Sequence, residues 1–130
     1  MDATRLESVG LLTDVSAEHR EELAAMMRVE SHPRGTVLVE EGDLPTKFYI
    51  LLSGFVTVHR EGRHITDLGP GDYFGEIGVL VLEGRNASVI ATTPCEVAVA
   101  MGWDLRQLLD EMPDLKSRLE TAAASRISPD

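Results

Sequence analysis

Apolar residues change their spacing twice along this chain, and each change marks a change of element. Residues 17 to 28 read as a helix: Leu23, Met26 and Met27 form a short apolar stripe, Ser16 stands where a capping hydroxyl is needed, and Glu18, Glu21 and Glu22 crowd the half that the helix dipole favours for acids. Leu11, Leu12 and Val15 ahead of it predict an earlier helical turn on the same core. From Thr36 onward the pattern shortens into strand-length runs: Thr36–Val39, Lys47–Leu52, Phe55–Arg60, Arg63–Leu68, Ala87–Thr92 and Cys95–Met101. Turn-forming residues separate them, among them Pro33, Gly35, Gly42, Asp43, Gly54, Gly62 and Pro94. A turn about every 8–12 residues predicts an antiparallel sandwich or jelly roll. Helical spacing returns at Asp104, read as a cap, with Leu105, Leu108, Leu109 and Met112 on one face. Pro113 interrupts it, Leu115, Leu119, Ala122 and Ala123 continue an amphipathic segment to about Ala124, and Arg126–Asp130 reads as a frayed tail.

One hundred and thirty residues fit one domain, which buries roughly two-thirds of its unfolded surface. No internal repeat or low-complexity linker divides them. No apolar run approaches ~18 residues, so no membrane span is expected, and the first five residues lack the apolar core of a secretory signal. Cys95 is the one cysteine, which excludes an internal disulfide and makes a reducing cytoplasm the simplest setting. The net charge of −10 argues against nucleic acid, whose phosphates need a basic surface. Any anionic ligand must therefore meet a local source of positive charge.

The stretch from Gly75 to Ser88 supplies one. Gly75 allows close backbone approach, and a helical turn starting near Glu76 would present free N–H groups and a positive dipole end to an anion. Arg85 can fork two hydrogen bonds onto a phosphate at any physiological pH. Glu76, an acceptor only, suits a sugar hydroxyl. Phosphate and ribose partners in one compact loop are the chemistry of a nucleotide monophosphate pocket.

These residues resemble the cyclic nucleotide-binding domain family. The resemblance rests on Phe74-Gly75-Glu76-Ile77-Gly78-Val79 followed by Gly84-Arg85-Asn86-Ala87-Ser88-Val89, which match the family's phosphate-binding cassette. Gly42-Asp43, the run Phe48–Gly54, Val56 and Val58 resemble its first hairpin, and Gly69–Phe74 its turn into the cassette. The likeness covers about residues 10 to 123, in order and at the right spacing. It implies a mainly β fold with flanking helices: a double-stranded β-helix (jelly roll) of about eight strands, an N-terminal helix and a C-terminal helix pair. Residues 1–130 are then one cyclic nucleotide-binding domain, with no room among them for a DNA-binding or catalytic domain.

The resemblance also implies site roles. Arg85 contacts an exocyclic oxygen of the cyclic phosphate, backbone amides of Glu76, Ile77 and Gly78 share that load, and Glu76 accepts the ribose 2′-OH. Gly75 and Ala87 leave room for the ligand, and Ser88 places a hydroxyl near the phosphate. Cyclic AMP is the favoured ligand and cyclic GMP the alternative, because Asn86 stands where Thr accompanies guanine preference. Gly84 replaces the family's Pro, so the loop is less fixed in advance. Val79 occupies the hydrophobic hinge position that touches the C-terminal helices, and Leu115, Leu119 and Ala122 are candidates to cap the base. Trp103 is read as a core anchor.

The expected function is that of a soluble, cytoplasmic, non-enzymatic sensor that changes conformation on binding ligand. Its output would pass to an unidentified effector protein or through self-association of the C-terminal helices, without nucleic acid or membrane. The alternatives are a same-fold interaction module that has lost nucleotide binding or takes another small anion, and a small cupin-like metalloenzyme. Against the second, His19, His32, His59 and His64 show no His-x-His or other metal spacing and read as surface residues, so no metal is expected. Cys95, within a β-rich run, reads as a small buried hydrophobe.

Overall fold

The computed structural model describes residues 1–40, 47–75 and 87–127, with side chains to residue 121. Two short 3-10 turns, Ala3–Leu6 and Gly10–Leu12, lead into helix α1, Ala17–Met26. Eight strands follow among the described residues: β1 (Arg28–His32), β2 (Val37–Val39), β3 (Lys47–Ser53), β4 (Val56–Arg60), β5 (Arg63–Leu68), β6 (Tyr73–Phe74), β7 (Ser88–Ala91) and β8 (Cys95–Met101). Helices α2 (Gly102–Leu109) and α3 (Pro113–Ile127) end the chain. The strands form two four-stranded sheets, ordered β1-β8-β3-β6 and β2-β7-β4-β5, with every pairing antiparallel. This is the jelly roll that the turn spacing predicts.

Alternation along β3 and β8 explains the layering. Successive side chains of a strand point to opposite faces. Phe48 and Ile50 of β3, with Ala98 and Ala100 of β8, therefore face the helices, where they join Leu6, Leu12, Leu23, Leu105, Leu109 and Leu119. Tyr49, Leu51, Val97 and Val99 face the other sheet and meet Val39, Val56, Phe74, Val89 and Ala91. Both central strands are thus buried on both sides, and their near-continuous apolar sequences follow from that.

The ends of the chain are tied to each other. Arg118 on α3 donates to the Leu11 carbonyl at 3.0 Å and to the Asp14 carboxylate at 2.9 Å. At the start of α1, the Ser16 hydroxyl accepts from the His19 amide at 3.2 Å, the capping role its position suggests. Ser16→Ala should cost about 1 kcal/mol. The check is the urea midpoint at unchanged m-value; an unmoved midpoint would mean the cap contributes nothing.

Several expectations need correction. The first helix stops at Met26 instead of residue 28: Met27 takes extended dihedrals and Arg28 opens β1, a strand the sequence pattern conceals. In β1, Arg28, Glu30 and His32 point the same way, giving a strand without the usual apolar alternation. The helix expected to be capped by Asp104 begins three residues earlier, directly from β8 with Met101 at its N-cap and no capping side chain. Phe55 precedes β4 and is exposed. Trp103 is not a core anchor; it is 55% exposed on the first turn of α2, whose buried face is Gly102, Leu105, Leu108 and Leu109.

Candidate functional site

The segment singled out by its chemistry joins the two sheets. On its near side, β6 pairs with β3, setting Tyr49 opposite Phe74 and Ile50 opposite Tyr73. The Tyr49 and Phe74 rings stack with centroids 4.8 Å apart and planes 12° from parallel. Tyr49 also reaches across the core, its hydroxyl donating to the Leu38 carbonyl on β2 at 3.3 Å. This pair fixes where β6 ends. The next residue, Gly75, has φ +92°, a left-handed conformation that strains any residue bearing a Cβ. A glycine is needed there to turn the chain out of the first sheet.

On the far side, Ala87 and Ser88 are half-buried, and Ser88 opens β7 in the second sheet. Ser88 lies opposite His59 of β4, and Val89, buried in the inter-sheet core, lies opposite both Val58 and Val39. The described site positions, Gly75, Ala87 and Ser88, therefore frame the segment from different sheets. Glu76, Ile77, Gly78, Arg85 and Asn86 lie outside the described residues, as do Val79, Gly84 and the Gly42-Asp43 turn. Tyr49 was not singled out from the sequence. Its signal is its phase: in Lys47–Leu52 the odd positions 49 and 51 face the inter-sheet core.

Of the base-capping candidates, Leu115 and Leu119 have described side chains, while that of Ala122 lies outside the described residues. Leu115 and Leu119 are both buried in the core between the helices and the first sheet. In this conformation they hold α3 down and do not offer a free apolar surface.

Among the remaining titratable groups, Glu30 sits on edge strand β1 between Arg28 (2.6 Å) and His32 (3.0 Å). Burial pushes its carboxyl up, but hydrogen bonds from Arg28 and His32 outweigh this and hold it below its ordinary range. Charged side chains on an edge strand also discourage pairing with another chain. Cys95 is buried, and that burial raises its thiol pKa, which suppresses the thiolate a nucleophile would need. No helix among the described residues is long and apolar enough to cross a membrane.

Two antiparallel sheets, helices packed on one of them, and a glycine-initiated link from β6 to β7 define a jelly-roll module. Residues 29–112 match the cyclic nucleotide-binding domain family, and the chain belongs to it. It is 34% identical over 101 residues to the potassium/sodium hyperpolarization-activated cyclic nucleotide-gated channel 4 of Oryctolagus cuniculus, covering 78% of this chain and 9% of the channel. It is 32% identical over 117 residues to the cAMP-dependent protein kinase regulatory subunit of Aspergillus niger, covering 88% of this chain and 28% of that subunit. The chain thus spans less than a third of the length of these curated relatives.

Among solved structures, the regulatory domain of Toxoplasma gondii PKA with cAMP superposes with a TM-score of 0.82 at 29% identity, covering 92% of this chain and 48% of that one. The catabolite activator protein of Thermus thermophilus gives 0.80 at 27% identity, covering 90% and 57%. The regulatory subunit of a cAMP-independent protein kinase A from Trypanosoma brucei gives 0.82 at 22% identity, covering 91% and 44%, and shares the fold alone.

Proposed function

We propose that this chain binds a cyclic nucleotide, cyclic AMP in the first instance and cyclic GMP as the alternative, and acts as a non-enzymatic regulatory domain of a cytoplasmic protein. The observation that carries the reading is the framing of residues 76–86. A left-handed Gly75 and the half-buried Ala87-Ser88 pair sit at the two ends of a sequence that matches the family's cassette.

In this reading Arg85 and the amides of Glu76, Ile77 and Gly78 hold the cyclic phosphate, and Glu76 accepts the ribose hydroxyl. Gly75 and Ala87 keep space for the ligand, while the Ser88 hydroxyl lies near the phosphate. Phosphate orders the cassette, Val79 follows, and α2 and α3 shift to expose or cover a surface for an effector or a second copy. A ligand moves such an equilibrium only by its differential affinity for the two states. Because Leu115 and Leu119 are buried here, capping of the base by either would require α3 to move.

The test is calorimetric titration with each nucleotide, paired with thermal unfolding. Ligand at 100 times its dissociation constant should add about 2.7 kcal/mol to stability. Saturable binding of one nucleotide with this stabilisation is the expected result; no heat and no shift at millimolar concentration of either would end the proposal. A second reading, a same-fold interaction module without nucleotide binding, draws on Gly84 and Asn86, which depart from the family's cassette. That negative result would favour it.

A further inference from the structure

A cluster remote in sequence from the cassette joins the two helical ends of the fold. His19 and Glu22 stand one turn apart on α1, so their side chains share a face. Glu111 lies in the turn between α2 and α3. One ligand atom from each of these residues lies within 4.8 Å of the other two. His19 is half-buried, whereas Glu22 and Glu111 are exposed. Among the described residues, none of the three side chains makes a hydrogen bond or ion pair. Two carboxylates thus lie close to an imidazole, and no described cation pairs with any of the three, in a chain of net charge −10. Like charges so placed repel unless something positive is shared between them.

We propose that His19, Glu22 and Glu111 form a surface site for a divalent transition-metal ion of the zinc type, which fastens α1 to the α2–α3 turn. The donor set selects the metal: carboxylates alone would suit calcium or magnesium, whereas an imidazole nitrogen favours zinc and its neighbours. Ligand atoms around a tetrahedral zinc stand about 3.3 Å apart, so these side chains need to draw in by roughly 1.5 Å at most. Exposed glutamates can do so by rotation about their own bonds. The remaining coordination position opens to solvent and takes water. Glu111 joins this site only through the fold, which is why no spacing in the sequence reveals it.

The full chain, stripped with chelator, should be titrated with Zn²⁺ by calorimetry and with Co²⁺ by visible absorption. One equivalent should bind, Co²⁺ should develop a ligand-field band, and Zn²⁺ should raise the unfolding temperature. His19→Ala and Glu111→Gln should each weaken binding at least tenfold and lose the thermal shift. His64→Ala serves as a control. His64 and His59 also stand close, with ring centroids 5.7 Å apart, but His64 is already bonded to Asp67 at 3.0 Å. No saturable binding below millimolar, undiminished binding in His19→Ala, or loss in His64→Ala would each overturn the site. The measurement uses no nucleotide, so its outcome is independent of the cassette.

Discussion

Arg85→Ala is expected to weaken cyclic nucleotide binding by at least about 2 kcal/mol, roughly a thirtyfold rise in dissociation constant. The size follows from charge. The chain carries −10 overall, and the proposed cassette, residues 75–88, contains Glu76 and Glu83 but a single cation, Arg85. A guanidinium keeps its charge at any physiological pH and offers two parallel donors to a phosphate, contacts about twice as strong as neutral ones. Removing it leaves a desolvated anion with main-chain amides alone. Arg85→Lys separates the two contributions: the point charge remains and the fork is lost, so its affinity should fall between wild type and alanine. Calorimetric titration at fixed salt, with unfolding curves to confirm that each variant is folded, makes the comparison. Alanine binding as tightly as wild type would refute the assigned pocket.

Gly54→Ala should destabilise the fold by about 3–5 kcal/mol, a left-handed penalty and an overpacking penalty acting together. Gly54 turns the chain from β3 into β4 at φ +84°, where a side chain is strained. The space is also taken: an added Cβ would lie 2.4 Å from the Pro94 carbonyl oxygen, 2.7 Å from the Cys95 Cβ and 2.8 Å from its Cα. Two of these are backbone atoms at the start of β8, the central partner of β3, one in its first residue and one in the residue just before, so relief requires the backbone to move. Gly62 provides the contrast. It has φ +76° but nothing within 4 Å of an added Cβ, so Gly62→Ala should lose only about 1–2 kcal/mol. Urea unfolding of the two variants checks the pair. Equal midpoints would mean that the close approach at Pro94 and Cys95 is not felt.

Strands β3 and β8 stand within a residue of where the apolar runs place them, because burial on both faces writes a clear pattern, whereas exposed β5 was bounded by the turn signals on either side of it. Strand β1 was hidden for the opposite reason. One face of it carries Arg28, Glu30 and His32, linked to one another by hydrogen bonds, in place of apolar residues. Strand β6 is only two residues long, too short to carry any period, and is held by the Tyr49–Phe74 stack. Trp103 misled because a large aromatic side chain ordinarily signals a core, whereas α2 fills its buried face with Gly102 and leucines. The candidate site was legible as residue types in order: a glycine at a left-handed position, and a small residue and a hydroxyl at the head of a strand. The His19–Glu22–Glu111 cluster was not, since no local window contains all of its members.

Arg118 gives the two ends of the polypeptide a common fate. Its guanidinium grips the Leu11 carbonyl and the Asp14 carboxylate, so α3 cannot swing outward without either dragging the opening turns along or letting go of both. A tilt of the last helix therefore either pulls on the opening turns or breaks these two contacts. A tag, truncation or neighbouring segment attached at either terminus would bear on the same lever.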